Sequence, residues 1–226
     1  MTEVWITRTQ PGADATADRV RALGFTPVIA PLLRVERTDA PASSGEDIAF
    51  TSANGPRHYN GSVAGTAWCV GEATADAARA AGFTDIRVGG GDVASLAAMM
   101  ATELRRPVLH WAGAHVRGDL SGVLSEAGHD ARRVVAYRAV AVESPPLDRP
   151  VDIVLFHSPR AAEVFASLDR PAVRATVSIS PATDSVLAAA KLATLSPHRR
   201  YIATGPNDAA MMTALQRAAG ELVSRN

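Results

Sequence analysis

The chain has 226 residues, and its 23 basic and 23 acidic side chains give a formal net charge of zero. This balance argues against a general nucleic-acid binder, which usually carries a basic excess. With 47% hydrophobic and 20% charged residues, the chain can bury a core, and its length fits one large or two small domains. The single cysteine, Cys69, excludes an internal disulfide and a cysteine-rich zinc site.

No apolar run approaches the ~20 residues that a membrane-spanning helix needs. The N-terminal residues lack the basic and apolar regions of a signal peptide. The sequence therefore predicts a cytoplasmic protein that binds neither membranes nor nucleic acid.

Strand and helix patterns alternate from the start of the chain. Residues 4–6 are apolar without alternation, which predicts a strand buried on both faces. The next segment has helical spacing that ends at Gly24. Residues 25–37 have an extended pattern interrupted by two prolines, and the polar run at 38–45 is the predicted boundary of this section.

Two pairs of strand-to-helix turns follow. The apolar run at 48–50 ends in a polar turn that contains Ser52, and the run at 67–70 ends in a turn that contains Thr74. A similar pair occurs later, at His157-Ser158-Pro159-Arg160 and Ser180-Pro181-Ala182-Thr183. The repeated pattern predicts two similar lobes, each of which presents hydroxyls and backbone N–H groups at such turns.

The predicted fold class is α/β, with two similar parallel-sheet lobes of the flavodoxin-like or Rossmann-like type. Two β-rich stretches, at about 31–39 and 134–144, act as linkers, so the second lobe is inserted in the first. Lobe one is predicted at 1–36 plus 143–226 and lobe two at 40–134, joined by a two-stranded β linker. A ligand cleft is expected between the lobes.

Two stretches carry weaker signals for other chemistry. Residues 89–94 match the Gly-x-Gly-x-x-Ala dinucleotide pattern, but they lie outside the first βα unit and lack the acidic residue expected further on. His110 and His115 would not share a helix face and have no acidic companion of a zinc helix. A nucleotide-using enzyme therefore stays an alternative, and no metal site is predicted.

The polar turns and Tyr137 are the stronger candidates. Ser, Thr and Asn before a helix are ordinary N-caps, and capping alone explains any single turn. Several turns that face one cleft would bind carboxylates, because helix N-termini offer free N–H donors and a positive dipole end. Tyr137 lies in the second β-rich stretch, where a tyrosine usually packs; facing a cleft, its phenol could donate a proton or a hydrogen bond.

Several short motifs, through nearly the whole chain, resemble the uroporphyrinogen-III synthase family in their order and spacing. They are Ile6-Thr7-Arg8, Pro31-Leu32-Leu33, Phe50-Thr51-Ser52-Ala53-Asn54-Gly55, Cys69-Val70-Gly71-Glu72-Ala73-Thr74-Ala75, Val135-Ala136-Tyr137-Arg138, Phe156-His157-Ser158-Pro159-Arg160 and Ser178-Ile179-Ser180-Pro181-Ala182-Thr183. The resemblance implies two α/β lobes joined by a two-stranded ladder, with the active site between them. It also implies a cofactor-free lyase of heme biosynthesis. Such an enzyme cyclises hydroxymethylbilane, a linear tetrapyrrole polycarboxylate, to uroporphyrinogen III, with loss of water and inversion of ring D through a spiro intermediate.

By this resemblance, Tyr137 is the catalytic residue that assists departure of the hydroxyl group. The implied substrate-binding residues all lie in strand-end turns: Thr7, Arg8, Thr51, Ser52, Ala53, Asn54, Glu72, Ala73, Thr74, Ser158, Pro159, Arg160, Ser180, Ala182 and Thr183. Two features depart from the family pattern. Ser180 stands where the family often has glycine, with only one threonine after Pro181, and 54–66 is short for the helix usually found there.

The resemblance further implies a monomer that receives its substrate in transient contact with hydroxymethylbilane synthase. The alternative from the two-lobed pattern alone is a non-catalytic binding or sensor protein for a small molecule.

Overall fold

The computed structural model of the protein describes residues 1–41, 45–116, 118–144, 146–169, 172–190 and 199–223. Its strands are β1 (Glu3–Ile6), β2 (Thr26–Ile29), β3 (Leu33–Arg37), β4 (Asp47–Phe50), β5 (Ala67–Cys69), β6 (Ile86–Val88), β7 (Val108–Gly113), β8 (Ala131–Ala141), β9 (Val151–Phe156), β10 (Val173–Ser178) and β11 (Arg200–Ile202). Its helices are α1 (Gly12–Ala22), α2 (Asn54–Arg57), α3 (Glu72–Ala80), α4 (Val93–Glu103), α5 (Leu120–Glu126), α6 (Pro159–Ser167), α7 (Pro181–Ala189) and α8 (Asp208–Val223).

The first of two compact units comprises Met1–Arg34 and Val140–Asn226. Its five-stranded sheet has the order β11-β10-β9-β1-β2, and all neighbouring strands are parallel. Val4 and Ile6 pack with residues of α1 and α8, whereas Trp5 packs with residues of α6 and α7. Helices on both faces explain why β1 is a continuous apolar run rather than an alternating one.

The second unit comprises Val35–Ala139 and contains a six-stranded sheet in the order β3-β8-β7-β4-β5-β6. The strands from β8 to β6 are parallel to their neighbours. Ile48 and Phe50 of β4 pack with residues of α3, and Ala49 packs with residues of α4 and α5. This sheet is therefore also covered on both faces.

The chain passes between the two units along β3 and β8. The Thr38 N–H donates to the Ala136 carbonyl at 3.0 Å, and the Val142 N–H donates to the Leu32 carbonyl at 3.1 Å. The residue number rises on one strand as it falls on the other, which is the pattern of an antiparallel pair. This pair is the two-stranded linker that the sequence predicts.

Several predicted bounds differ from those of the structure. The two units divide after Arg34 and after Ala139, and both positions lie inside the predicted linkers. The exact lobe limits, 1–36 with 143–226 for lobe one and 40–134 for lobe two, stay predictions. α3 begins at Glu72, so Thr74 lies inside its first turn rather than before it. β8 begins earlier than predicted, at Ala131. Residues 42–44 of the predicted boundary lie outside the described residues.

None of the helices in the described part of the chain combines the length and apolar character that a membrane-spanning helix requires.

Candidate active site

Tyr137 lies on β8 opposite Gly113 of β7, beside a β-bulge. Ala112 pairs with Val135, but the next residue, Gly113, pairs with Tyr137, so Ala136 is the extra residue of β8. A bulge increases the local twist and re-aims the side chains next to it. A Cβ atom on Gly113 would lie 2.7 Å from Cε2 of Tyr137. Glycine at this position therefore leaves room for the tyrosine ring.

The Ser52 side chain and the Gly113 backbone lie near the phenol of Tyr137. Tyr137 is only 8% exposed, and this burial raises the pKa of its phenol despite the opposing effect of the nearby Ser52 side chain and Gly113 backbone. A raised pKa keeps the phenol protonated at neutral pH. The group can thus donate a hydrogen bond to a departing oxygen, and it is unsuited to act as a base.

The turn after β4 orients Ser52. The Asn54 N–H donates to Ser52 Oγ at 3.3 Å, and the Gly55 N–H donates to the Ser52 carbonyl at 2.9 Å. Ala53 is the N-cap of α2 and makes no side-chain capping bond. The four-residue α2 agrees with the shortness of 54–66 noted in the sequence.

Thr51, in the same turn, contacts a buried histidine. Thr51 Oγ1 lies 3.0 Å from Nε2 of His110 on β7. His110 is 2% exposed; burial, followed by the charge of Arg133, lowers the pKa of its imidazole to about 4. Its ring is therefore neutral at physiological pH, and it fixes the orientation of the Thr51 hydroxyl.

The predicted residues Glu72, Ala73 and Thr74 form the first turn of α3. The N-cap is Gly71, which has no side chain with which to cap the helix. Thr74 is only 4% exposed, and its N–H donates to the Gly71 carbonyl at 3.0 Å. The backbone N–H groups of Glu72 and Ala73 are thus the donors that this helix end offers to an anion.

The glycine-rich stretch at 89–94 has a different arrangement from a dinucleotide site. Asp92 is the N-cap of α4, and its carboxylate accepts a hydrogen bond from the Ser95 N–H at 2.8 Å. A pyrophosphate would need these same donors and would meet a carboxylate of like charge. The geometry therefore disfavours the nucleotide alternative.

In the first unit, Ser158 and Ser180 are N-caps. Ser158 Oγ accepts from the Ala161 N–H at 3.2 Å, and Ser180 Oγ accepts from the Thr183 N–H at 3.3 Å. Prolines follow both caps and have no N–H. The remaining backbone donors of the two first turns are therefore those of Arg160 and Ala182. Thr183 itself is fully buried, with its hydroxyl 3.1 Å from that of Ser180.

Thr7 and Arg8 follow β1 at the same carboxyl edge of the five-stranded sheet. The Thr7 side chain is fully buried, and its hydroxyl donates to the Leu155 carbonyl at 2.7 Å. The guanidinium of Arg8 is partly exposed and lies 3.4 Å from Asp208 and 3.4 Å from Thr16. The Thr7 side chain thus links the end of β1 to β9 by a hydrogen bond. Arg8 places a charged group near the carboxyl edge of the sheet.

His157, between β9 and the Ser158 cap, is a buried histidine that the predicted site does not include. Its Nε2 lies 3.9 Å from Asp208 Oδ1, and neither ring nitrogen has a hydrogen-bond partner among the described residues. Burial, with a smaller effect of Arg8, lowers the pKa of its imidazole to about 4.

Within each unit, the structure gathers the predicted residues at the carboxyl edge of the sheet. In the second unit, Tyr137 and the turn at 51–54 are in direct contact, and α2 packs against α3, whose first turn contains Thr74. In the first unit, the turns after β1, β9 and β10 follow adjacent parallel strands.

A family model described as uroporphyrinogen-III synthase HemD matches residues 14–211. The chain belongs to the uroporphyrinogen-III synthase family. This match confirms the family and the enzyme class predicted from the sequence, a cyclising lyase of tetrapyrrole biosynthesis. It does not favour the alternative of a non-catalytic binding protein.

Solved structures of other uroporphyrinogen-III synthases resemble this chain in fold. The protein from Helicobacter pylori is 16% identical with a TM-score of 0.59, and the match covers 96% of this chain and 99% of that one. A mutant of the Thermus thermophilus enzyme is 16% identical with a TM-score of 0.48, covering 98% and 100%. At 16% identity, the similarity to the Helicobacter pylori structure concerns the fold alone. That fold agrees with the predicted two-lobed α/β class. Comparison with curated protein sequences finds no match.

Three residues that lie next to predicted site residues were not predicted from the sequence of this synthase family member. They are Gly113 beside Tyr137, His110 beside Thr51 and His58, whose ring centroid lies 5.5 Å from that of Tyr137. Each is close only through strand pairing or a turn, and no local motif marks it. The glycine that ends β7 was the one available signal, since glycine in a strand often marks a bulge or a close approach.

Among the described residues, no three His, Cys, Asp or Glu side chains are grouped as metal ligands would be.

Proposed function

We propose that this chain converts hydroxymethylbilane to uroporphyrinogen III, with Tyr137 as the catalytic residue and the strand-end turns as substrate-binding elements. The family establishes the reaction class and a tetrapyrrole substrate. The assignment of individual residues is the part that the proposal adds.

The arrangement around Tyr137 is the observation that carries the proposal. The ring lies tightly against Gly113, the Ser52 side chain is near the phenol, and burial keeps the phenol protonated. The substrate's leaving group is a hydroxyl on a carbon attached to an electron-rich pyrrole, so its departure gives a stabilised azafulvene cation. A hydrogen-bond donor is sufficient for this step, and a strong acid is not required.

In the balanced reaction, the hydroxyl leaves as water, and the substituted carbon of ring D bonds to the carbon that carried it. The old bond from that ring D carbon to its bridging methylene then breaks. The unsubstituted α-carbon of ring D bonds to this methylene and releases a proton, which replaces the one taken up by the water.

Substrate geometry supplies most of the remaining catalysis in this proposal. The substituted carbon of ring D must attack first, so the linear chain has to be held in a curled shape. Such orientation is worth several kcal/mol and up to ~7–11 kcal/mol in the best model reactions. Contacts with the many carboxylates are spread over several turns, and a single turn therefore contributes modestly.

Backbone N–H groups at three helix starts support the binding role. In the first turns of α3, α6 and α7, the N–H groups of Glu72, Ala73, Arg160 and Ala182 have no partner among the described residues, and each lies at the positive end of a helix dipole. These donors explain how a chain with formal net charge zero can bind a polyanion. In this proposal, Ser158, Ser180 and Pro159 shape the turns, and the Arg8 guanidinium adds one charged contact.

A product assay tests the proposal. Hydroxymethylbilane is generated enzymatically in the presence of the protein, the products are oxidised, and the type I and type III isomers are separated chromatographically. Type III isomer above that of a heat-inactivated sample is the expected result. Type I alone, which forms spontaneously, would contradict the proposal, and calorimetric binding without type III would support the binding-protein alternative.

A monomeric state, a transient handover from hydroxymethylbilane synthase and a cytoplasmic location belong to the same proposal. The spontaneous cyclisation of the free substrate to the wrong isomer supports the handover, because a direct transfer would shorten the substrate's time in solution. Light scattering at several protein concentrations tests the monomer, and coupled assays with and without an unrelated trapping protein test the handover.

A further inference from the structure

One short segment, from Ser52 to His58, meets Tyr137 twice. At its start, the Ser52 side chain lies near the Tyr137 phenol and opposes the rise in its pKa. At its end, the imidazole of His58 lies against the ring of Tyr137, with centroids 5.5 Å apart and planes inclined by 33°. This separation lies within the range in which aromatic rings attract each other.

Two sets of contacts hold His58 in place. Its backbone N–H donates to the carbonyls of Asn54 and Gly55, both at 3.2 Å, which closes α2. The next residue, Tyr59, is anchored among core rings, with its centroid 5.2 Å from that of Phe83 and 5.2 Å from that of Trp111. A residue between a closed helical turn and a core anchor has little freedom to move away from Tyr137.

The imidazole of His58 is also in a cationic neighbourhood. Its pKa is lowered, mainly because the ring is partly buried and further because Arg37 and Arg57 are positive. A neutral ring packs on a buried phenol without the cost of desolvating a second charge. The electrostatics thus agree with a packing contact and do not require an ion pair.

We propose that His58 is a positioning residue for Tyr137: its imidazole covers the phenol ring and, together with Ser52 and Gly113, holds the hydroxyl in one orientation. This inference rests on the proposed function of Tyr137. The Gly113 side leaves no space for a Cβ atom, and the Ser52 side chain lies near the hydroxyl. His58 supplies a third contact, without which the ring is free to tilt.

The test compares four variants with the wild type: His58→Ala, His58→Gln, His58→Phe and the control His115→Ala. His115 is an exposed histidine of the same unit. Circular dichroism and thermal unfolding first establish which variants fold. If His58→Ala does not fold, His58→Gln, which also removes the ring but keeps a polar side chain, takes its place.

The first readout needs no substrate. Tyrosines labelled with 13C at Cζ give separate NMR signals for the three tyrosines of the chain, and the Tyr137 signal is the one absent from Tyr137→Phe. Loss of the covering ring should admit water to the phenol and shift its pKa down toward the ordinary value in His58→Ala and His58→Gln. His58→Phe, which retains a covering ring, and His115→Ala should leave it near the wild-type value. An unchanged Tyr137 titration in folded His58→Ala or His58→Gln would overturn the inference.

The second readout is turnover to the type III isomer. A tilted phenol should lower kcat by about tenfold in His58→Ala, since even small misplacements of a catalytic group are costly, while KM changes little. His58→Phe should recover most of the rate. Equal kcat in His58→Ala and His115→Ala would overturn the positioning role. If the wild type makes no type III isomer, the proposed function fails, and the NMR titration still decides whether His58 holds Tyr137.

Discussion

Gly113 and Tyr137 lie opposite each other across β7 and β8, so close that a Cβ atom on Gly113 would come within 2.7 Å of Tyr137 Cε2. The tyrosine ring is packed in the core of its unit and cannot simply swing aside. The glycine is therefore a requirement for the position of the phenol.

Replacing this glycine should displace the tyrosine. We expect Gly113→Ala to lose ~1–3 kcal/mol of stability through overpacking and to reduce kcat by about tenfold or more through misplacement of the phenol. Gly220→Ala is the matched control, because no side chain in the described part of the chain lies within 4 Å of its added Cβ and alanine favours a helix by ~0.5–1 kcal/mol. Urea unfolding and isomer-resolved turnover measure both effects. Wild-type turnover in Gly113→Ala would contradict the tight contact.

Removal of the Tyr137 hydroxyl should separate its role from packing. Tyr137→Phe keeps the ring and loses the hydrogen-bond donor, so we expect kcat to fall by ten- to a hundredfold, at the low end of what a positioned proton donor contributes. Ser52→Ala removes a hydroxyl that lies near the phenol and should reduce kcat only a few-fold. Tyr201→Phe, whose hydroxyl bonds Glu221 in the other unit, should leave kcat unchanged. An undiminished kcat for Tyr137→Phe would remove the tyrosine from the mechanism.

Two arginines that share Asp208 should differ in their effects on substrate binding. Arg19 lies 2.6 Å from Asp208, whereas Arg8 lies 3.4 Å from it and follows β1 in a predicted substrate turn. We expect Arg8→Ala to raise KM by about tenfold, the value of one charge-assisted hydrogen bond, with little change in kcat. Arg19→Ala should leave KM near the wild-type value. Equal KM values for the two variants, from initial rates over a range of substrate concentrations, would show that Arg8 makes no substrate contact.

The buried histidine of β7 should make the protein less stable in mild acid. The pKa of His110 is about 4 in the folded state against 6.5 for an ordinary histidine. Between these two pKa values, the unfolded chain binds a proton that the native state does not. The free energy of unfolding therefore decreases as pH falls from about 6.5 to 4. Below pH 4 both states bind the proton, and this group causes no further loss. From pH 7 to pH 5, the loss is about 2 kcal/mol for this one group.

Unfolding in urea at pH 7 and pH 5 checks this dependence. His110→Gln can still hydrogen-bond Thr51 but does not titrate, and it should lose about 2 kcal/mol less than the wild type on acidification. The exposed His115→Gln is the control and should follow the wild type. A parallel pH dependence of His110→Gln and wild type would contradict a neutral, buried His110.

The thiol of Cys69 should be unreactive in the native state. It is fully buried, and burial raises its pKa to about 12, so almost no thiolate is present at neutral pH. A chromogenic disulfide reagent should react only as fast as the second unit opens, and immediately in denaturant. Because Cys69 is the only cysteine, the rate reports this one position. Rapid labelling of the native protein would show that β5 is accessible.

Local patterns in the sequence were sufficient for much of the fold. The non-alternating run at 4–6 correctly indicates a strand covered on both faces, because side chains on a strand point alternately to the two sides of the sheet. Gly24 correctly marks the end of a helical segment, and it has the positive φ that glycine allows. The capping explanation also holds for Ser158 and Ser180.

The sequence by itself determined the order of strands and helices, the doubled strand-to-helix turns and the family, because these depend on periodicities and motifs within a short window. Only the tertiary structure decided that Tyr137 lies beside Gly113, Ser52 and His58. It also decided that the Thr7 hydroxyl donates a hydrogen bond to a carbonyl of the neighbouring strand. These contacts depend on the pairing of distant strands and on one extra residue in β8. A bulge changes which residues face each other without leaving a local signature, and for this reason the neighbours of Tyr137 could not be predicted.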